Sequence, residues 1–265
     1  MSGSGLEGLL RRDRVIVFLA LVVLTALAWT YVLWLAGNMS AAMPAMADMN
    51  MGPAIRPWSA TQFLLSFAMW AVMMVGMMTP AATPIILLYA RVGRQAQADG
   101  RAFAPAGWFG AGYLIAWCGF AALVTLAQGA LIEAALLTPT LNAASDLFAG
   151  VMLIAAGLYQ WTPLKESCLS QCQAPLGFIM RHGGFKAGAS DSLALGLQHG
   201  LFCLGCCWAL MMLLFVGGVM NLLWIAGLAI WVLLEKIVPA GRLMSRGLGL
   251  VLVAAGAIFL YRTLL

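Results

Sequence analysis

Four residues that can bind a soft metal ion lie close together in one apolar stretch: His199, Cys203, Cys206 and Cys207. Successive residues of an α-helix are about 100° apart, so these positions fall within a sector of roughly 100° on one helix face. Thiolate and imidazole ligands suit Cu(I) or Zn(II) better than magnesium or calcium. The spacing therefore predicts a copper or zinc site. Packing is the alternative, because free cysteine is also a small buried hydrophobe.

A stripe of methionines forms a second set of candidate ligands. Met69, Met73 and Met77 recur at helical spacing in one apolar run. A thioether binds Cu(I) without losing a proton, so such a stripe can hold the ion weakly and pass it on. We take Met73 and Met77 as candidate ligands, with ordinary packing as the alternative.

Further methionines fall between residues 36 and 60, a stretch that we expect to be an external, poorly structured loop. They are Met39, Met43, Met46, Met49 and Met51. Because exposed methionines have no packing reason to recur, this loop favours metal binding as the role of the methionines.

Two more cysteines, Cys168 and Cys172, follow Pro163 and are four residues apart. On a short helix they would share one face, where they could act as a pair of soft ligands or as a dithiol. Two cysteines alone are a weak signal for a zinc site, so an incidental role stays open. Cys118 stands by itself in an apolar run, and we interpret it as packing.

The composition indicates a membrane protein. Of the 265 residues, 63% are hydrophobic and only 9% are charged, and the mean hydropathy is +0.97. This leaves too few polar groups to cover a water-soluble globule, so the lipid bilayer is the expected partner. The net charge of +5 does not indicate nucleic-acid binding, because the basic residues are scattered between apolar segments.

A spanning helix needs about 20 apolar residues, and this rule predicts an all-α bundle of about seven transmembrane helices in a single domain, 1–265. The segments are Val15 to Leu35, Phe63 to Tyr89, Phe109 to Gln128, Asp146 to Trp161, Ser192 to Val216, Met220 to Val238 and Leu248 to Leu264. Six spans result if the turn at Gly217 and Gly218 joins two half-spans.

Lysine and arginine favour cytoplasmic loops, and with the N-terminus inside, all but Arg56 and Arg262 of the 14 basic residues lie on the inner side. This places the methionine-rich loop 36–60 outside and a cysteine-containing loop 162–191 in the cytoplasm. We expect the bacterial inner (cytoplasmic) membrane as the location.

Charged residues inside the apolar segments are rare. Glu235 and Lys236 lie near a predicted helix end, where we expect snorkelling to the membrane surface. The chain also lacks a phosphate-binding G-x-x-x-x-G-K-[ST] loop. These features favour a binding protein over an enzyme.

The sequence resembles a bacterial family of predicted metal-binding integral membrane proteins, domain of unknown function 2182. Four stretches carry the resemblance: Leu9 to Arg14, Met69 to Pro80, Tyr159 to Lys165 with the following cysteine pair, and Cys203 to Met212. The resemblance implies metal binding, and it names neither the metal nor its purpose.

The leading hypothesis is a protein that binds, relays or delivers Cu(I), with a metallochaperone or a cuproenzyme as partner. Affinity should rise from thioether to thiolate along such a route. One alternative is a membrane thiol-disulfide oxidoreductase that uses Cys203 with Cys206 and Cys168 with Cys172. A haem-binding or purely structural subunit of a membrane complex is a further alternative, although only His199 lies within a predicted helix.

Overall fold

The computed structural model describes residues 3–48, 59–100, 102–138 and 141–264, and in this part of the chain every regular element is a helix. The all-α prediction is confirmed. The helices are α1 (Gly3–Asp48), α2 (Ala60–Ala98), α3 (Ala106–Glu133), α4 (Asp146–Tyr159), α5 (Pro163–Gln173), α6 (Pro175–Arg181), α7 (Ala189–Met212), α8 (Leu214–Gly217), α9 (Leu222–Ile237) and α10 (Gly241–Leu264).

Fewer of these helices can span a membrane alone than the sequence predicted. Among the described residues, five are long and apolar enough: Val15–Asn38, Ala60–Ala98, Ala106–Glu133, Ala189–Gly217 and Gly241–Thr263. The count of seven was too high because α4 has 14 residues and α9 has 16. At about 1.5 Å per residue, both are shorter than the roughly 30 Å of the hydrocarbon core.

A sixth span is possible where α4 and α5 meet at an angle of 64°. Pro163 opens α5, and the Thr162 side chain caps it by accepting a hydrogen bond from the Lys165 amide. Helix α4 therefore ends at Tyr159, and α5 begins as a separate helix at Pro163. The turn that the sequence analysis placed at Gly217 and Gly218 lies between α8, which ends at Gly217, and α9, and Gly218 has a φ of +94°.

Both predicted loops differ from expectation. Helix α1 continues to Asp48, so residues 36–48 are helical and not a loop, in keeping with the many alanines and methionines, which are good helix formers. Met49 and Met51 lie outside the described residues, as do the side chains of Met39, Met43 and Met46. The stretch 162–191 contains α5 and α6, which pack against the core.

Glycines allow two pairs of helices to approach closely. Gly112 of α3 and Gly196 of α7 each leave no room for a side chain, since a Cβ there would meet the backbone of the other helix at Leu193 and Phe109 respectively. The pair α4 and α10 is built in the same way, and a Cβ on Gly256 would lie 2.7 Å from the carbonyl oxygen of Gly150. Small residues at such contacts are the usual means of packing membrane helices.

Replacing Gly196 by leucine should separate α3 from α7 and lower the melting temperature of the protein in detergent. Overpacking costs about 1–3 kcal/mol, and here the obstacle is backbone, which cannot rotate away. Gly119→Leu on α3 is the matched control because its Cβ position has no atom within 4 Å. Equal melting temperatures for the two variants would contradict the close α3–α7 contact.

Candidate metal centre

Helix α7 buries three cysteines side by side in the middle of the bundle. Cys203, Cys206 and Cys207 are 2%, 1% and 1% exposed. The thiols of Cys206 and Cys207 each donate to the carbonyl oxygen of Cys203 at 3.0 Å, the usual local bond of a small polar side chain in a helix. One helix turn thus presents three sulfur atoms to the interior.

Helix α5 brings a fourth sulfur to this group. The Sγ atoms of Cys172 and Cys206 are 4.0 Å apart. Cys168, one turn earlier on α5, is 7% exposed and packs against Gly205, where a Cβ would lie 2.5 Å from its sulfur. The two helices can approach this closely because Gly205 has no side chain. The hydroxyl of Tyr159 also donates to the Gly205 carbonyl oxygen, which ties the end of α4 to α7.

Cys203 has two further polar neighbours from other helices. The ammonium group of Lys236 on α9 donates to its sulfur at 2.8 Å. The hydroxyl of Tyr113 on α3 lies 3.2 Å from the same sulfur and donates to the carbonyl oxygen of Met78 at 3.0 Å. Helices α3, α7 and α9 therefore meet at Cys203, and the hydrogen bond from Tyr113 to Met78 connects this point to α2.

His199 lies in an aromatic pocket, one helix turn before Cys203. Its ring centroid is 4.9 Å from that of Phe178, 5.9 Å from that of Phe109 and 6.0 Å from that of Tyr113. The residue is 3% exposed, and its Nδ1 atom has no hydrogen-bond partner. The predicted helix face is shared: along the helix axis, His199 lies about 6 Å from Cys203 and about 10 Å from Cys206.

The methionine stripe of α2 is fully inside the protein. Met69, Met73 and Met77 are 8%, 1% and 2% exposed, and they belong to the same core as the cysteines of α7. The backbone of Met78 reaches the sulfur group through Tyr113. The stripe therefore lies in the packed core and extends to the level of the thiols.

The sulfur atoms do not form a finished coordination sphere. In the described part of the chain, no group of three or more histidine, cysteine, aspartate or glutamate side chains is placed to hold a metal ion. The donor set itself fits Cu(I), since buried thiols are soft ligands and no carboxylate lies among them in the described contacts. Binding would require the thiols of Cys206 and Cys207 to turn away from the Cys203 carbonyl.

Sequence reasoning missed the charged residues next to this centre. Glu235 and Lys236 do not snorkel: they are 1% and 7% exposed. Glu235 forms an ion pair with Lys165 of α5, whose Nζ lies 3.0 Å from both carboxylate oxygens. Lys165 also donates to the side-chain oxygen of Gln160. Two adjacent charged residues in an apolar run could have indicated buried partners elsewhere in the chain, since buried charges must be paired.

Comparison with known families gives a match to PpoB2, described as a copper chaperone, over residues 67–259. Neither the curated proteins nor the solved structures give a match. The matched region contains all the candidate ligands from Met73 to Cys207. The family is copper-related, and it is not the predicted metal-binding membrane family that the motifs resemble.

Removing one partner of the buried ion pair should be costly. Glu235→Gln leaves the Lys165 charge uncompensated, and we expect a loss of about 3–5 kcal/mol in the free energy of unfolding. The exposed pair of Arg242 and Glu166, with side chains 58% and 36% exposed, is the matched control. Arg242→Gln should cost less than about 1 kcal/mol.

Unfolding in mixed micelles with increasing denaturing detergent measures both variants. A cost for Glu235→Gln no larger than that for Arg242→Gln would contradict a dry, paired environment at Glu235.

Proposed function

The chain belongs to the PpoB2 family of copper chaperones, and on this basis we propose that it is a membrane protein that binds Cu(I) at Cys172, Cys203, Cys206 and Cys207. The observation that carries the proposal is the approach of Cys172 on α5 to Cys206 on α7, with a distance of 4.0 Å between their sulfur atoms. Two separate helices contribute thiols to one position, where Cys206 is buried and Cys172 is half-buried. Packing alone does not require thiols from two helices to meet, whereas a soft ion bound between these helices needs a sulfur donor from each.

The remaining candidate ligands extend the site in two directions. Met73 and Met77 supply weak thioether contacts along α2, so an ion can move toward the stronger thiols without proton transfer. On the other side, the unpartnered Nδ1 of His199 and the thiol of Cys168 are additional donors within the same core. A chaperone must release its cargo, and neighbouring donors of different strength provide steps for that release.

The recipient in this proposal is a cuproenzyme during its assembly, or a metallochaperone that exchanges copper with the thiols. The long apolar helices support a site inside a membrane, and the distribution of basic residues favours the bacterial inner membrane with the N-terminus in the cytoplasm. The methionine-rich stretch 36–60 then lies on the outer side, where it can collect copper.

Copper quantification on protein purified under reducing conditions tests the site. We expect wild type to bind Cu(I) and the triple variant Cys203→Ser, Cys206→Ser, Cys207→Ser to lose it, because a hydroxyl is a poor ligand for a soft ion. Cys118→Ser is the matched control, since this half-buried cysteine of α3 lies away from the cluster. Stoichiometric copper in the triple variant would show that the three thiols of α7 are not the ligands.

The same preparation tests the methionine stripe. Met73→Leu with Met77→Leu conserves volume, so the fold should persist. We expect loading with Cu(I) to slow while the final copper content per protein stays equal to that of the wild type. Unchanged loading kinetics would leave these methionines as packing residues.

The distance between Cys172 and Cys206 also favours a second candidate function, thiol-disulfide exchange. Closing 4.0 Å to a disulfide of about 2 Å needs only small side-chain movements. An oxidoreductase should form this disulfide reversibly with an added quinone, as peptide mapping after alkylation would show. The copper chaperone account instead predicts that both thiols stay reduced and become protected from alkylation by Cu(I).

A further inference from the structure

Lys236 places a positive charge inside the sulfur cluster. Its side chain is 7% exposed, and its Nζ atom lies 2.8 Å from the sulfur of Cys203. The other ionisable groups around this ammonium are the thiols of Cys172, Cys206 and Cys207, the hydroxyl of Tyr113 and the imidazole of His199. A buried ammonium is stable only with compensating negative charge, so it belongs to the electrostatics of the cluster.

The neighbouring carboxylate does not neutralise this charge. Glu235 precedes Lys236 on α9, but both of its oxygens lie 3.0 Å from Lys165 of α5. Adjacent helix positions are about 100° apart, so the two side chains leave α9 in different directions. Lys165 and Glu235 form a neutral pair, and Lys236 remains as one positive charge that faces the thiols.

A fixed positive charge affects metal ions according to their valence. The Coulomb repulsion between the ammonium and a bound ion is proportional to the charge of that ion, and it is strong where water is excluded. A divalent ion at the thiols therefore meets about twice the repulsion that a monovalent ion meets. The thiolates attract both kinds of ion, but the ammonium acts against the divalent one.

We propose that Lys236 is a specificity-determining residue that makes the thiol cluster prefer monovalent soft cations, Cu(I) and Ag(I), to divalent ones, Zn(II) and Cd(II). It acts from outside the coordination sphere as a donor to the sulfur of Cys203, in the way that neighbouring groups tune other metal sites. The inference rests on the proposed function, because it concerns the same four thiols, and it explains how sulfur ligands that suit zinc equally well can serve copper.

Competition titrations on the purified full-length protein in detergent test this proposal. All four ions have ten d electrons, and Cu(I) is isoelectronic with Zn(II) as Ag(I) is with Cd(II), so each pair differs chiefly in charge. Lys236→Gln removes the charge and keeps a hydrogen-bond donor, and Lys236→Met removes both. Lys236→Arg keeps the charge and is the matched control.

In the two neutral variants we expect the affinity ratio of Zn(II) to Cu(I), and that of Cd(II) to Ag(I), to rise about tenfold or more. Lys236→Arg should keep the wild-type ratios. An equal loss of all four ions in the neutral variants would assign Lys236 a structural role and overturn the inference, as would unchanged ratios. Wild-type protein that binds none of the four ions would overturn the proposed function itself.

Discussion

Polar groups that have left water must find partners inside the protein, and at the centre of this bundle three helices meet that requirement together. The Lys236 ammonium depends on the sulfur of Cys203 at 2.8 Å, and the Lys165 ammonium depends on the carboxylate of Glu235 at 3.0 Å. These contacts join α9 to α7 and to α5. Because an unpaired charge would be so costly here, the position of each helix is tied to the partner of its charged residue.

The close packing of the helices makes these short contacts possible. Gly205 lets α5 lie against α7, so that Cys168 packs on the α7 backbone and Cys172 reaches Cys206. On the opposite side, Gly196 lets α3 approach α7, which brings the hydroxyl of Tyr113 to Cys203. A larger residue at either glycine would move a ligand or its neighbour away. The site is thus a consequence of helix packing as much as of cysteine spacing.

The sequence predicted the helical class and the shared face of the α7 cysteines, because hydropathy and helical periodicity are local properties. It could not predict that Cys172 meets Cys206, or that Lys236 meets Cys203, since these contacts depend on how distant helices pack. His199 shares the helix face with the cysteines, but its packing against Phe178 depends on another helix and could not be predicted from periodicity. The number of spans was overestimated because α4 and α9 are apolar but short.

X-ray absorption at the copper edge, on protein loaded under reducing conditions, tests the central claim most directly. Copper held by the buried thiols should give the edge of Cu(I) and a first shell made mainly of sulfur atoms. The same spectrum should disappear from the variant that lacks the three cysteines of α7. A first shell of only nitrogen and oxygen atoms would contradict the account, because the described thiols would then not be the ligands.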